Sequence, residues 1–302
     1  MATLVSLEHG RRHLRQQVTP YLLLAPAMLL LLAVAGFPLA GAMRLSLLQF
    51  RINTPERFVG LENYRRLLTD PQSLESLGLT VIFVLGGVTL IMLLAHVVAM
   101  LLYQEFPGRR VVRTMVLVPW ALAPVVNGLM WKSLYAPQFG PLNDLLYRAG
   151  ALQQSVNWVV DYPMHSLILA YAWKVLPLPT LIILAGLEGI SQELYEAAEV
   201  DGASSWTRLR AITLPLLRPV SLLALILLLV DALHVFALVD ILTRGGPAGR
   251  TMIINYTIYR TAFRYLNFGY GAAMAFSLTV LILVLAVLYV RASAEATQAA
   301  GR

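Results

Sequence analysis

No cysteine occurs in the 302 residues, which excludes a disulfide framework, a thiolate metal site and a cysteine nucleophile. Charged residues are scarce as well, at 13% of the chain against 58% hydrophobic, a balance foreign to ordinary soluble domains. Lysine is reduced to Lys132 and Lys174, each directly after a tryptophan. A P-loop needs a Gly-Lys pair to cradle phosphates, so this chain carries no such nucleotide site and no cofactor is expected on it. His9, His13, His96, His165 and His234 are scattered and no His-Glu-x-x-His occurs, which leaves zinc chemistry unsupported. No repeat or low-complexity tract is visible. The net charge of +7 lies mostly in short loops between apolar runs, where it reads as membrane anchoring and not as nucleic-acid contact.

What is present is a series of apolar runs, each about as long as a helix needs to cross some 30 Å of hydrocarbon. Lipid leaves such segments no other way to satisfy their backbone, so an all-α membrane domain of six spans is expected. The runs are Tyr21 to Met43, Thr80 to Tyr103, Val112 to Leu134, Ser166 to Leu187, Val220 to Leu242 and Tyr270 to Val290. The six-span domain covers residues 20–292, between polar tails at 1–19 and 293–302. The first run is too long for a usual secretory signal, and similar runs follow it, so it is read as a retained span. Span three is interrupted by Pro119, Trp120, Pro124, Asn127, Trp131 and Lys132, which implies a kink beside polar neighbours or a water-lined cavity. Before span two, Leu61 to Leu68 is expected to form a short helix ending at Asp70-Pro71. Lys and Arg divide almost evenly between the two sides of this topology, so charge alone does not orient it.

The polar stretch over 190–219 lies between two spans. Ser191 is a candidate N-cap, Ile190 and Tyr195 a hydrophobic staple, and Glu193 sits in the first turn, where the helix dipole favours an acid. Leu194, Ala197 and Ala198 share a face that can approach another surface closely. Gly202 can take the left-handed conformation that ends a helix, and Ser204 or Ser205 can cap a second helix that should stop before Pro215. From physics alone this is either a docking element or an ordinary amphipathic loop on the membrane.

Glu196-Ala197-Ala198, Asp201-Gly202-Ala203, then Ile212, Leu214-Pro215 and Pro219, closely resemble the EAA loop of ABC-transporter importer permeases. Phe58-Val59-Gly60-Leu61, Asn63-Tyr64, Pro119-Trp120, Trp173-Lys174, Gly245-Gly246-Pro247, Tyr259-Arg260-Thr261-Ala262-Phe263 and Gly269-Tyr270 look like the sugar-permease branch. Leu209 stands where that family usually has phenylalanine and keeps an apolar anchor. The resemblance implies a type I ABC importer permease fold in the plasma (inner) membrane of a prokaryote. It further implies that Glu196, Ala197, Ala198, Asp201, Gly202 and Ala203 form the coupling helix that meets a cytoplasmic ATPase subunit. ATP and Mg would then be handled by two such partner subunits. A second homologous permease and an extracytoplasmic solute-binding protein complete the implied assembly. With the loop cytoplasmic, both termini would be cytoplasmic too.

Inside the membrane, an ionisable side chain costs at least about 2.5–3.5 kcal/mol and usually faces a cavity or a partner. Asp231 and His234, spaced i, i+3, and Lys174 fit that description. One reading is a polar lining for a hydroxyl-rich solute, with Trp131, Trp173 or Tyr171 stacking on sugar faces and Asn127 as a further contact. The other is an Asp231–Lys174 ion pair holding spans four and five together, with Asn127 in a helix–helix hydrogen bond. At the level of function, the sequence leads to a permease subunit for a sugar or sugar-like solute. The rivals are an ion-gradient-driven carrier using Asp231 and Lys174, and an intramembrane enzyme using Asp231 and His234.

Overall fold

The computed structural model describes residues 21–138 and 140–300, without the side chains of 292–300. The tail expected over 1–19 lies outside the described residues. Helix α1 (Tyr21–Ser46) leads to a two-residue antiparallel pair, β1 (Leu48–Gln49) and β2 (Arg57–Phe58), and then to the short α2 (Glu62–Thr69). Asp70, extended ahead of Pro71, separates α2 from α3 (Pro71–Tyr103), so the second span begins at that proline and not near Thr80. There follow α4 (Arg109–Ala121), α5 (Pro124–Leu134), α6 (Pro141–Arg148), α7 (Trp158–Asp161), α8 (Pro163–Val175) and α9 (Pro177–Glu188). The chain ends with α10 (Gln192–Val200), α11 (Ser205–Leu233), α12 (Ala237–Leu242), α13 (Ile254–Tyr259) and α14 (Phe268–Ala300). Helix α14 thus continues through most of the segment expected to be a tail.

Helices α1, α3, α11 and α14 are long and apolar enough to cross a membrane outright. Counting the bent pairs α4–α5 and α8–α9 as one pass each makes six. The third expected span is not one kinked helix. Its halves meet at 98°. Pro119 removes a backbone donor from the last turn of α4, and Leu122 and Ala123 are extended, the conformation that Pro124 favours in the residue before it. The fifth span also differs from expectation: α11 stops at Leu233, and the backbone unwinds over 234–236 before α12.

Two prolines are accommodated within long helices by the same device. Pro38 and Pro215 each follow a π-helical turn, Leu32–Gly36 and Leu209–Thr213. In a regular helix a proline gives no N–H to the carbonyl four residues back, and its ring collides with it. The wider turn, in which the Phe37 N–H donates to Leu32 O and the Leu214 N–H to Leu209 O, moves that carbonyl aside. The helix expected to stop before Pro215 therefore runs on into the membrane.

Helix α3 is the centre of the bundle and packs on α8, α9, α11 and α13. One core gathers Phe83, Ile91, Tyr171, Val239 and Met274. A second, towards the 104–108 and 189–204 turns, sets Ala95 and Ala99 of α3 against Ile183 and Leu187 of α9 and Leu217 of α11. The two alanines let the helix backbones come close, the packing that works best without a hydrophobic drive between helices. At the opposite end the Gly269 N–H donates to Phe50 O at 3.1 Å, and a Cβ at Gly269 would collide with the Leu48 carbonyl oxygen. A backbone cannot give way as a side chain can. Gly269→Ala is expected to destabilise the fold by about 3 kcal/mol, read as a lowered thermal midpoint in detergent. Gly41→Ala, which meets nothing within 4 Å, should match wild type; equal midpoints for the two variants would refute this account of the junction.

Candidate functional site

Three helix breaks meet at one depth. The α4–α5 corner, the α8–α9 bend and the unwound 234–236 segment surround a cavity of about 310 Å³ lined by Asn127, Tyr171, Lys174, Asp231, His234 and Phe236, among others. An adjoining space of about 510 Å³ shares Lys174, Asp231 and His234 and adds Trp120. Irregular backbone is tolerated at membrane depth only where protein or water-filled space satisfies it, so the breaks and the cavity account for one another.

Asp231, Lys174 and Asn127 are each held from a helix other than their own. Asp231 Oδ2 accepts from the Tyr171 hydroxyl at 2.9 Å. Lys174 Nζ lies 3.5 Å from Trp120 O, at the carbonyl end of α4. His234 Nδ1 is 2.7 Å from Val230 O, and His234 O accepts from Asn255 Nδ2 at 2.8 Å. Asn127 is fully buried; its Nδ2 donates to Ala170 O at 3.3 Å, while its Oδ1 has no partner among the described residues. The lining therefore offers a carboxylate as acceptor, with an ammonium group and an imidazole beside it and the buried, unpaired amide oxygen of Asn127 behind.

The expected site residues divide between two places. Asn127, Tyr171, Lys174, Asp231 and His234 come together at the cavity. Trp131 and Trp173 meet each other edge to face at 6.1 Å, and Trp131 also packs on Tyr135 at 5.0 Å, so their rings form a separate aromatic cluster. Asp231 and His234 are not mid-helix neighbours: Asp231 is in the last turn of α11 and His234 is the capping residue after it. Lys174 and Asp231 form no ion pair among the described residues. The inter-helix bond expected of Asn127 exists, donated by Nδ2, and its side-chain oxygen is buried without a partner among the described residues. Trp120, read in the sequence as an interruption of span three and not as a site residue, and Phe236, not singled out there, supply aromatic lining instead.

The 189–204 segment is built as an exposed helical turn. Ser191 occupies the N-cap position with extended backbone, although its side chain makes no capping bond. The end of α10 closes with two hydrogen bonds around Gly202 at φ +76°: Ala203 N–H donates to Ala198 O at 2.8 Å and Gly202 N–H to Glu199 O at 3.0 Å. Ser204 Oγ then accepts from the Thr207 N–H at 3.2 Å and opens α11. Arg208 reaches back to Glu199 at 3.1 Å, and the Tyr195 hydroxyl meets Thr213 Oγ1 at 3.0 Å, so α10 is tied to the π-turn of α11. Glu196, Ala197, Asp201 and Gly202 are exposed and Ala198 and Ala203 half-buried. Val200 and Trp206 are 89% and 67% exposed, the most exposed large apolar side chains of this segment. Sequence reasoning passed over Trp206, though a tryptophan among serines and arginines was the available signal.

The family model for binding-protein-dependent transport system inner membrane components matches residues 15–294. The chain belongs to this family. As an inner membrane component it is a transport subunit and not an enzyme. It is 38% identical to the trehalose/maltose transport system permease protein MalF of Thermococcus litoralis over 90% of this chain and 91% of that one. It is 31% identical to the trehalose transport system permease protein SugA of Mycobacterium tuberculosis, over 100% and 97%. Its fold matches a chain of a bacterial alginate ABC transporter, solved with an alginate pentasaccharide-bound periplasmic protein, with a TM-score of 0.77 at 21% identity over 92% and 94% of the chains. The importer permease fold expected from the sequence is thereby shown.

Proposed function

We propose that this inner membrane component forms half of the pathway of an ATP-driven importer for a sugar or sugar-like solute. The observation that carries the reading is that α11 runs unbroken from the exposed Gly202 turn to Asp231 in the cavity wall. A displacement applied at the loop thus reaches the cavity through one rigid element. The solute class is supported by relatives named for trehalose and maltose, together with a lining whose only Lys or Arg among the described residues is Lys174. Acceptors that need hydroxyl donors and a single cation suit a neutral polyol ring better than a phosphate.

In this reading the 189–204 loop is cytoplasmic and docks on an ATPase subunit through Glu196, Ala197, Ala198, Asp201, Gly202 and Ala203, with Trp206 as an apolar anchor. Two such subunits supply ATP and Mg, a second homologous permease completes the pathway, and both termini are cytoplasmic. The solute-binding protein meets the opposite end, over 47–70, 135–162 and 243–267. The test is uptake into proteoliposomes holding the complete assembly. Uptake should stop with a non-hydrolysable ATP analogue and persist with a protonophore. The reverse pattern would establish the ion-driven carrier.

A further inference from the structure

Helix α4 contains no fully buried residue, unlike α3, α8, α9 and α11 around it. It is held at its ends by charge. At the end near the coupling loop, Arg113 and Arg109 converge on one oxygen of Glu188, at 2.6 and 3.3 Å, and Arg113 also donates to Leu102 O at the end of α3. At the other end Lys174 lies against Trp120 O. Glu188 and Lys174 are the far end of α9 and the last turn of α8, so α4 is strapped along α9. The two helices have matching lengths, about 20 and 18 Å at 1.5 Å per residue. The arginine side chains at the clasp are 25% and 28% exposed and that of Glu188 46%, so the contact is half-buried, and the two guanidinium groups converging on one carboxylate oxygen set it apart from an isolated surface pair.

We infer that Glu188, with Arg109 and Arg113, is a positioning clasp that makes α4 move with α9 and the coupling loop, so that loop displacement is delivered to the Trp120 side of the cavity as well as to Asp231. Glu188 lies directly ahead of the Gly189–Ser191 link to α10, and α4 ends at the cavity wall. With its other contacts shallow, α4 follows the loop only as long as the clasp holds. This rests on the coupling role proposed above for the 189–204 loop.

The test uses the full reconstituted importer, comparing Glu188→Gln, the exchange Arg113→Glu with Glu188→Arg, and Gly202→Pro. Glu188→Gln is expected to leave ATP hydrolysis within about twofold of wild type and to lower solute uptake per ATP about tenfold, inside the range by which residues along a coupling network act. The charge exchange should restore most of that ratio, which a general loss of packing would not allow. Unchanged uptake per ATP in Glu188→Gln, with Gly202→Pro still uncoupled, overturns the clasp alone. If Gly202→Pro is also fully coupled, the loop's role itself falls. Failure of both Glu188→Gln and the exchange to assemble would overturn the inference too, by making the clasp a folding contact.

Discussion

Replacing Gly202 with proline is expected to abolish solute uptake by the assembled importer while ATP hydrolysis and membrane insertion persist. Gly202 sits at φ +76° and donates its N–H to Glu199 O. Proline is locked near φ −65° and has no N–H, so the turn must open. Opening it also releases the Ala203–Ala198 bond and the Glu199–Arg208 pair that hold α10 against α11. A loss of about 3 kcal/mol in the coupled geometry corresponds to a fall of some hundredfold in uptake. Gly202→Ala, which strains the same angle but keeps the N–H, should lose far less, since an L-residue pays only about 1–2 kcal/mol there. Uptake and ATP hydrolysis measured on the same vesicles decide the matter, and a proline variant that still transports with normal stoichiometry would refute the coupling role.

The second large effect is expected at the other end of α11. Asp231→Ala removes the carboxylate from the cavity and strips the buried Tyr171 hydroxyl of its acceptor. A hydrogen bond to a charged acceptor contributes about 1.5–3 kcal/mol, or roughly a 10- to 150-fold fall in the kcat/KM of uptake. Asp231→Asn keeps an acceptor oxygen in place and should retain a larger share of the activity. Basal ATP hydrolysis should be unchanged in both, because the site is remote from the loop. Uptake within twofold of wild type in Asp231→Ala would remove Asp231 from the pathway.

The positions of the spans could be read from the sequence because hydrocarbon length and backbone satisfaction dictate them. The breaks could be read only in part. Pro119 and Pro124 announce an interruption in span three, but the 98° corner depends on what packs against each half. The unwinding after Leu233 has no proline or glycine to mark it. His234-Val235-Phe236 is held open by the Asn255 side chain on His234 O, a contact from the far side of α12. Loop chemistry was more legible: Gly202 and Ser204 act locally, and the structure places both where their backbone preferences require. Ser191 takes the cap position without its bond, and Pro215 shows a local rule overridden by a π-turn. The Glu188 clasp was not legible at all, because Arg109 and Arg113 are distant in sequence and meet Glu188 only through the bundle.

The unbroken path of α11 also sets how the chain can change length. Every residue added to or removed from a helix rotates what lies beyond it by about 100°. A single insertion or deletion between Pro219 and Asp231 would leave an equally apolar, membrane-competent span, yet would swing the carboxylate away from Tyr171. Substitutions along this helix alter packing by degrees. A change in its length breaks the angular phase between loop and cavity in one step.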